Sequence, residues 1–167
     1  MSETLTVEED GRLLEFAFDD LIRYHGPHSP GGVAVAFKAM HRAFPLLTPG
    51  GPPPRRRIEV RTAFRGPGAR DGFEAVTRAV SDGRYLVDRS LLRPDRGYLL
   101  EDFVFAMRIA DKTVTVLLRD GFVTPEFIAL ARAQTRSEAD ERRLDEMKLQ
   151  LAHRVLERPS EDVYDAM

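Results

Sequence analysis

Stretches rich in glycine and proline limit how long any helix or strand of this chain can be. The clearest is PLLTPGGPPPRRR, residues 45–57, which holds five prolines and two glycines in thirteen residues. Proline removes a backbone donor and clashes with the preceding helical turn, so this stretch predicts a loop. YHGPHSPGG (24–32) and RGPGARDGF (65–73) are two further breaks of the same kind. We therefore expect the regular elements to lie between them.

Hydrophobic periodicity between these breaks predicts the individual elements. Helical spacing is found at residues 12–24, 32–44, 73–82 and 137–157, and in a segment opened by Thr124 and Pro125. Alternating or continuous apolar runs predict strands at residues 58–64 and 84–88, and a hairpin of residues 98–110 and 112–119 around Asp111. This order predicts a single α+β domain over residues 1–167, with a mostly antiparallel sheet and helices packed on it.

Local capping signals fix several of the expected helix ends. Proline suits the first helical position, and short polar side chains suit the position before it. The predicted helix starts are Ser29 with Pro30, Thr124 with Pro125, and Ser137 with Asp140 in a capping box. Gly83 is the predicted end of the 73–82 helix.

Composition excludes several classes of protein. The chain has 167 residues, a net charge of −2 and no cysteine, which excludes disulfides, thiolate metal sites and cysteine nucleophiles. No apolar run approaches the ~20 residues needed to span a bilayer, and the polar, acidic start argues against a secretory signal. The three arginines of PPPRRR predict a solvated loop, because no aromatic residues interleave with them. We therefore expect a cytoplasmic protein, of bacterial type by its many Arg, Pro and Ala residues, that binds neither nucleic acid nor membrane.

The histidines of YHGPHSPGG are the sharpest chemical feature. Two imidazoles three residues apart on a tight loop can converge on zinc, nickel or iron, and a third ligand must come from elsewhere. Asp71, in the other glycine-rich break, is the best third candidate. The metal hypothesis therefore names His25, His28 and Asp71. The alternative is that His25 ends a helix and His28 lies in solvent.

The same loop also suggests a site without a metal. The SPGG start of the second helix leaves backbone N–H groups free, and these can hold a carboxylate or phosphate. Glycines at that point let a ligand approach the backbone closely. The candidate ligand-binding residues are Tyr24, Ser29, Gly31 and Gly32. Ordinary helix capping produces the same pattern, so both interpretations stay open.

Several of these segments resemble the FmdE family, whose members are components of formylmethanofuran dehydrogenase. That family has a Phe-His-Gly-His-x-Cys-Pro-Gly loop before an apolar helix, and the corresponding residues here run from Tyr24 to Gly31. The likeness continues through residues 58–88, where Asp71 falls at the family's aspartate, and through the hairpin to the acidic RPSEDVYDAM. It covers about residues 12–165. The resemblance implies an α+β fold and a homodimer.

Departures from the family pattern weaken its metal chemistry. Pro27 stands at the family's second histidine and Ser29 at its cysteine, and the zinc-ribbon cysteines of many relatives are absent. Only His25 and Asp71 carry over as ligands, so any site here uses nitrogen and oxygen donors. Three hypotheses follow. The first is a pocket between the 24–32 and 65–73 loops that binds a divalent metal or a small polar ligand. The second is a metal-independent enzyme with His25 and Asp71 as an acid–base pair, and the third is a non-catalytic subunit of a larger redox or one-carbon complex.

Overall fold

A computed structural model describes residues 3–167 of the chain. Its strands are β1 (Thr4–Glu9), β2 (Arg12–Ala17), β3 (Glu59–Thr62), β4 (Tyr85–Val87), β5 (Val104–Ile109), β6 (Lys112–Leu118) and β7 (Tyr164–Ala166). Its helices are α1 (Phe18–His25), α2 (Pro30–Leu47), α3 (Pro67–Thr77), α4 (Pro125–Arg132), α5 (Glu138–Leu156) and α6 (Ser160–Val163). Short 3₁₀ turns cover Arg55–Arg57, Arg89–Leu91 and Pro94–Arg96. The predicted α+β class is confirmed.

The first hairpin corrects the prediction of a helix over residues 12–24. Only Phe18–His25 is helical, and the residues before it form β2, which pairs with β1 in an antiparallel register. Asp10 and Gly11 connect the two strands with φ angles of 53° and 78°. Positive φ at both central positions is the geometry of the tight turns that join hairpin strands, and Asp-Gly is a preferred pair for it. The helical prediction is therefore wrong for residues 12–17, which follow the period of a strand.

A five-stranded sheet in the order β4-β3-β5-β6-β7 forms the second β unit. Its pairs are antiparallel except for β3 and β4, which are parallel. The predicted strands at 58–64 and 84–88 and the hairpin around Asp111 are all present, although each observed strand is shorter than its predicted range. The sequence does not predict β7, because three residues are too few to show a period.

α2 is the central helix, and it packs against α3, α5 and the sheet. Twelve of its eighteen residues are buried, as expected from its nearly continuous apolar sequence. It begins at Pro30 and ends at Leu47, so it takes in Pro45 and shortens the predicted 45–57 loop at one end. Burial of the helix offsets the cost of an internal proline. Residues Arg55–Arg57 shorten the predicted loop at its other end by forming a 3₁₀ turn.

α3 begins six residues before the predicted helix start at residue 73. Pro67 occupies its first position, and the predicted 65–73 turn is therefore mostly helical. Two glycines explain the difference, because a Cβ on Gly68 would lie 2.7 Å from Ser29 O, and one on Gly72 would lie 2.9 Å from Ala36 Cβ. The glycines of this segment serve the close approach of α2 and α3 and do not break the helix.

The end of α3 is set by side chains and not by Gly83. The helix stops at Thr77, where the Thr77 hydroxyl donates to Phe73 O at 2.7 Å and accepts from Ala79 N at 3.1 Å. The Glu74 carboxylate accepts from the backbone N–H groups of the two residues that follow Ala79. Local side-chain bonds of this kind compete with helical ones. Gly83 lies beyond the end of α3, in the turn that leads to β4.

The predicted starts of α4 and α5 are confirmed. The Thr124 hydroxyl accepts from Phe127 N at 3.1 Å with Pro125 at the first position of α4. Ser137 and Asp140 form the expected capping box at the start of α5. The predicted solvated loop at PPPRRR is more ordered than expected, because Arg55 donates to the carbonyls of Val76 and Ala75. Within residues 3–167, no helix combines the length and apolarity needed to cross a membrane.

Candidate functional site

His25 and Asp71 lie 46 residues apart in the chain and meet in space. His25 is the last residue of α1, and Asp71 lies in the second turn of α3. The His25 Nδ1 atom is 2.7 Å from Asp71 Oδ2, and 7% of the His25 side chain and 27% of the Asp71 side chain are exposed. A carboxylate only accepts, so Nδ1 is the protonated nitrogen and donates to it. Asp71 thus fixes both the orientation and the tautomer of the imidazole.

The backbone at the end of α1 helps to hold this histidine in place. Gly26 follows His25 at a φ of 94°, a conformation that favours glycine, and its N–H donates to Ile22 O at 2.7 Å. The chain turns away sharply there, which leaves the imidazole directed to α3. The glycine of the His-Gly pair is therefore required by the end of the helix.

The other ring nitrogen of His25 has no partner among residues 3–167. Nε2 is buried, and no residue in the range 3–167 forms a hydrogen bond with it. With Nδ1 protonated, Nε2 of the neutral ring carries the lone pair and can accept a proton or a hydrogen bond. Buried polar atoms of this kind are rare in folded proteins and need an explanation, such as a water molecule or a ligand.

His28 and Ser29 differ from this pair in their surroundings. His28 is exposed, and its carbonyl oxygen accepts from Lys148 Nζ at 3.4 Å. Ser29 is the N-cap of α2 as predicted, but its hydroxyl makes no capping hydrogen bond. Across residues 3–167, the structure assembles no group of three or more His, Asp or Glu side chains that could hold a metal ion. Of the three predicted metal ligands, His25 and Asp71 contact each other and His28 is exposed, so a zinc, nickel or iron site held by all three stays a prediction.

The predicted ligand-binding glycines pack against protein atoms. A Cβ on Gly31 would lie 2.9 Å from Lys148 O on α5, and one on Gly32 would lie 3.1 Å from Ala69 N on α3. The space beside each glycine is therefore occupied by a neighbouring helix. These contacts show a packing function for both residues, and a ligand contact with either one stays a prediction.

Tyr24 lines a groove between α1 and α3. The groove is a cavity of about 400 Å³, and its walls include Phe16, Asp20 and Tyr24 on one side. The lining residues on the other side are Arg55, Glu74, Ala75, Arg78 and Ser81. Tyr24 is 56% exposed at the rim. Neither His25 nor Asp71 is among the residues that line the groove, although each is close in sequence to a residue that does: His25 follows Tyr24, and Asp71 precedes Ala75 by one turn of α3.

Charges of both signs line the groove. The backbone N–H of Ala17 and, to a lesser degree, the Arg23 guanidinium hold the pKa of Asp20 below its ordinary value. On the opposite wall Arg78 lies 3.9 Å from the buried Glu74 carboxylate. Glu74 and Arg78 are not among the site residues predicted from the sequence. Their spacing of three and seven residues from Asp71 is the helical signal that could have found them.

Neither comparison with known proteins identifies the chain. The sequence matches no protein-family model and no curated protein.

Proposed function

We propose that this chain is a metal-independent enzyme for a small polar molecule, with His25 Nε2 as the group that accepts and returns a proton. The observation that carries this is the 2.7 Å contact between His25 Nδ1 and Asp71 Oδ2, which leaves Nε2 without a partner among residues 3–167. Imidazole is the side chain best suited to proton transfer near neutral pH. Asp71 is a positioning residue, because it acts on the substrate only through the histidine.

The substrate is proposed to enter through the groove between α1 and α3. Tyr24 stands at its rim and can donate a hydrogen bond from its phenol. Asp20 and Arg78 line it with opposite charges, which suits a molecule that carries both hydrogen-bond donors and an anionic or carbonyl oxygen. Nε2 is buried and His25 does not line the groove, so the proposal requires side chains between the groove and His25 to move when a substrate binds.

The family resemblance is part of the same proposal. It carries over both His25 and Asp71, as possible ligands, and their contact in the fold supports that alignment. Membership of the FmdE family, the homodimer, the cytoplasmic location and the role in a larger complex stay predictions.

A thermal-shift screen in EDTA tests the proposal. The probes are small carboxylates, phosphates and carbonyl compounds, and any compound that raises the melting temperature is then followed for turnover by NMR. We expect a stabilising compound whose effect is lost in His25→Gln and kept in His153→Gln, a matched change at an exposed histidine of α5. Asp71→Asn should lower the turnover rate at saturation more than it lowers affinity, because the positioning of the imidazole matters in the transition state.

Two results would contradict this function. One is a set of compounds whose effect is the same in His25→Gln and in wild type. The other is a stoichiometric amount of bound metal in protein purified without a histidine tag, if that metal is absent from the His25→Gln variant. This result would support the metal hypothesis instead.

A further inference from the structure

A second cavity lies at the opposite end of α3 from Arg78 and shares no residue with the groove. It has a volume of about 660 Å³ and lies between the loop that precedes α3, the segment that leads into β5, and α4. Arg65 and Gly66 come from the first of these, Asp102 from the second and Arg132 from the third. A volume in this range accommodates a small organic molecule.

One wall of the cavity is aromatic and aliphatic. Phe64 and Phe103 pack with their ring centroids 4.9 Å apart, and Phe103 is almost fully buried. Phe127 and Ile128 of α4 complete the apolar side. The Phe64 ring also lies over Gly66, where an added Cβ would collide with it. This packing holds the ring in place, so the wall is preformed.

The other wall carries an excess of positive charge. Three arginines and two acidic residues line the cavity. Arg65 is exposed and forms no ion pair with any residue from 3 to 167. Arg132 Nη2 donates to Tyr98 O at 3.3 Å and lies 3.7 Å from Glu101 and 3.6 Å from Asp102. Arg132 Nε and Nη1 form no hydrogen bond with any residue from 3 to 167, so these are the donors that a ligand can use.

Asp102 adds a carboxylate acceptor. Its side chain lines the cavity and is 22% exposed. Oδ1 is buried 3.2 Å from Arg89 Nη1, and Oδ2 lies 3.6 Å from Arg132 Nη2. Because Oδ1 is buried, Oδ2 is the oxygen that can accept from a ligand hydroxyl or amine. The cavity therefore offers an apolar wall, cationic donors and one carboxylate acceptor.

We propose that this cavity binds a small organic acid with an apolar or aromatic body and a hydroxyl or amino group next to the carboxylate. The ring packs on Phe64 and Phe127, the carboxylate faces Arg65 and Arg132, and the hydroxyl or amine donates to Asp102. Nothing in this arrangement involves His25, so the site is independent of the function proposed above.

Calorimetric titration with three probes tests the site: 3-phenyllactate, 3-phenylpropanoate and 3-phenylpropanamide. They keep the ring and the length of the carbon chain. The second probe lacks the hydroxyl, and the third also lacks the charge of the carboxylate. We expect 3-phenyllactate to bind at least about tenfold more tightly than 3-phenylpropanoate, and 3-phenylpropanamide to bind weakest, since hydrogen bonds to charged groups are the stronger ones. Arg132→Gln should weaken the binding of both acids by about tenfold or more.

Matched variants separate the site from general effects of charge. Arg119→Gln removes an arginine of nearly equal exposure, 47% against 46%, outside the cavity and should leave probe binding unchanged. Asp102→Asn should bring the affinities for the two acids to within about threefold of each other. Three results would each overturn the proposal: no saturable binding of any probe at ~10 mM, equal weakening by Arg132→Gln and Arg119→Gln, or 3-phenylpropanamide binding as tightly as 3-phenylpropanoate.

Discussion

Two polar regions of the interior differ in how completely their groups are paired. The first joins α2 to the segment of α6 and β7. There the fully buried Lys38 donates to Glu3 Oε2 and to Arg158 O, both at 2.6 Å. The Tyr164 hydroxyl, also buried, donates to Val35 O at 2.8 Å. Each of these buried groups has a partner from a distant part of the chain.

The second region surrounds α3, where two buried side-chain atoms, His25 Nε2 and the Tyr85 hydroxyl, have no partner among residues 3–167. His25 bonds to Asp71 through one nitrogen and leaves the other without a partner among residues 3–167. Tyr85 packs its ring on Phe73 of α3, and its buried hydroxyl likewise has no partner in that range. The comparison shows where to look for function, because complete pairing stabilises a fold and incomplete pairing leaves a group free to act on something else.

The largest effect is expected from breaking the paired region. Tyr164→Ala removes a fully buried aromatic side chain and should lower the free energy of unfolding by about 3–5 kcal/mol. Tyr164→Phe removes only the hydroxyl and its hydrogen bond to Val35 O, which should cost about 1–1.5 kcal/mol. Urea unfolding followed by circular dichroism measures both. A Tyr164→Phe variant as stable as wild type would show that the pairing contributes nothing.

Double-mutant cycles test the comparison with one histidine from each region, His25 beside α3 and His41 in α2. His25 bonds to a carboxylate at 2.7 Å, whereas His41 Nδ1 lies 3.3 Å from the neutral Ser160 hydroxyl. We expect a coupling free energy of about 1–2 kcal/mol for His25 with Asp71, reduced by the partial exposure of Asp71. The coupling of His41 with Ser160 should be about 0.5 kcal/mol or less. Alanine variants and chemical unfolding near neutral pH give both values, and equal couplings would remove the distinction.

The smallest effect at neutral pH is expected at Tyr85. Its hydroxyl has no partner to lose among residues 3–167, so Tyr85→Phe should change the free energy of unfolding by less than about 0.5 kcal/mol, in contrast to Tyr164→Phe. Destabilisation as large as that of Tyr164→Phe would mean that the Tyr85 hydroxyl is paired in solution.

High pH separates Tyr85→Phe from wild type. Burial raises the pKa of Tyr85 from 10.0 to about 12, with Arg70 opposing the shift. The unfolded chain therefore releases this proton first, and the stability contributed by the neutral phenol is present below pH 10 and lost as pH rises from about 10 to 12. Urea unfolding over that range should show a smaller loss in Tyr85→Phe than in wild type. Equal losses would contradict the burial of the phenol.

Elements that depend on neighbouring residues were predictable from the sequence. The β5–β6 hairpin, the Thr124 cap and the Ser137–Asp140 capping box all form as expected, since each depends on side chains within a few positions of one another. The β1–β2 hairpin was also predictable in principle, from Asp10-Gly11, but the apolar stripe of residues 12–24 fits either a helix or a strand when it is read alone.

The sequence by itself determined the fold class, the ends of several helices and the choice of His25 and Asp71 as candidates, because periodicity, capping and residue type are local properties. Only the tertiary structure decided that Gly31, Gly32, Gly68 and Gly72 hold helices together, since close approach depends on which helix lies opposite. It alone also set His25 Nδ1 on Asp71 and left Nε2 without a partner in the described part of the chain. Whether a buried polar atom finds a partner depends on residues far away in the chain, and no local pattern records them.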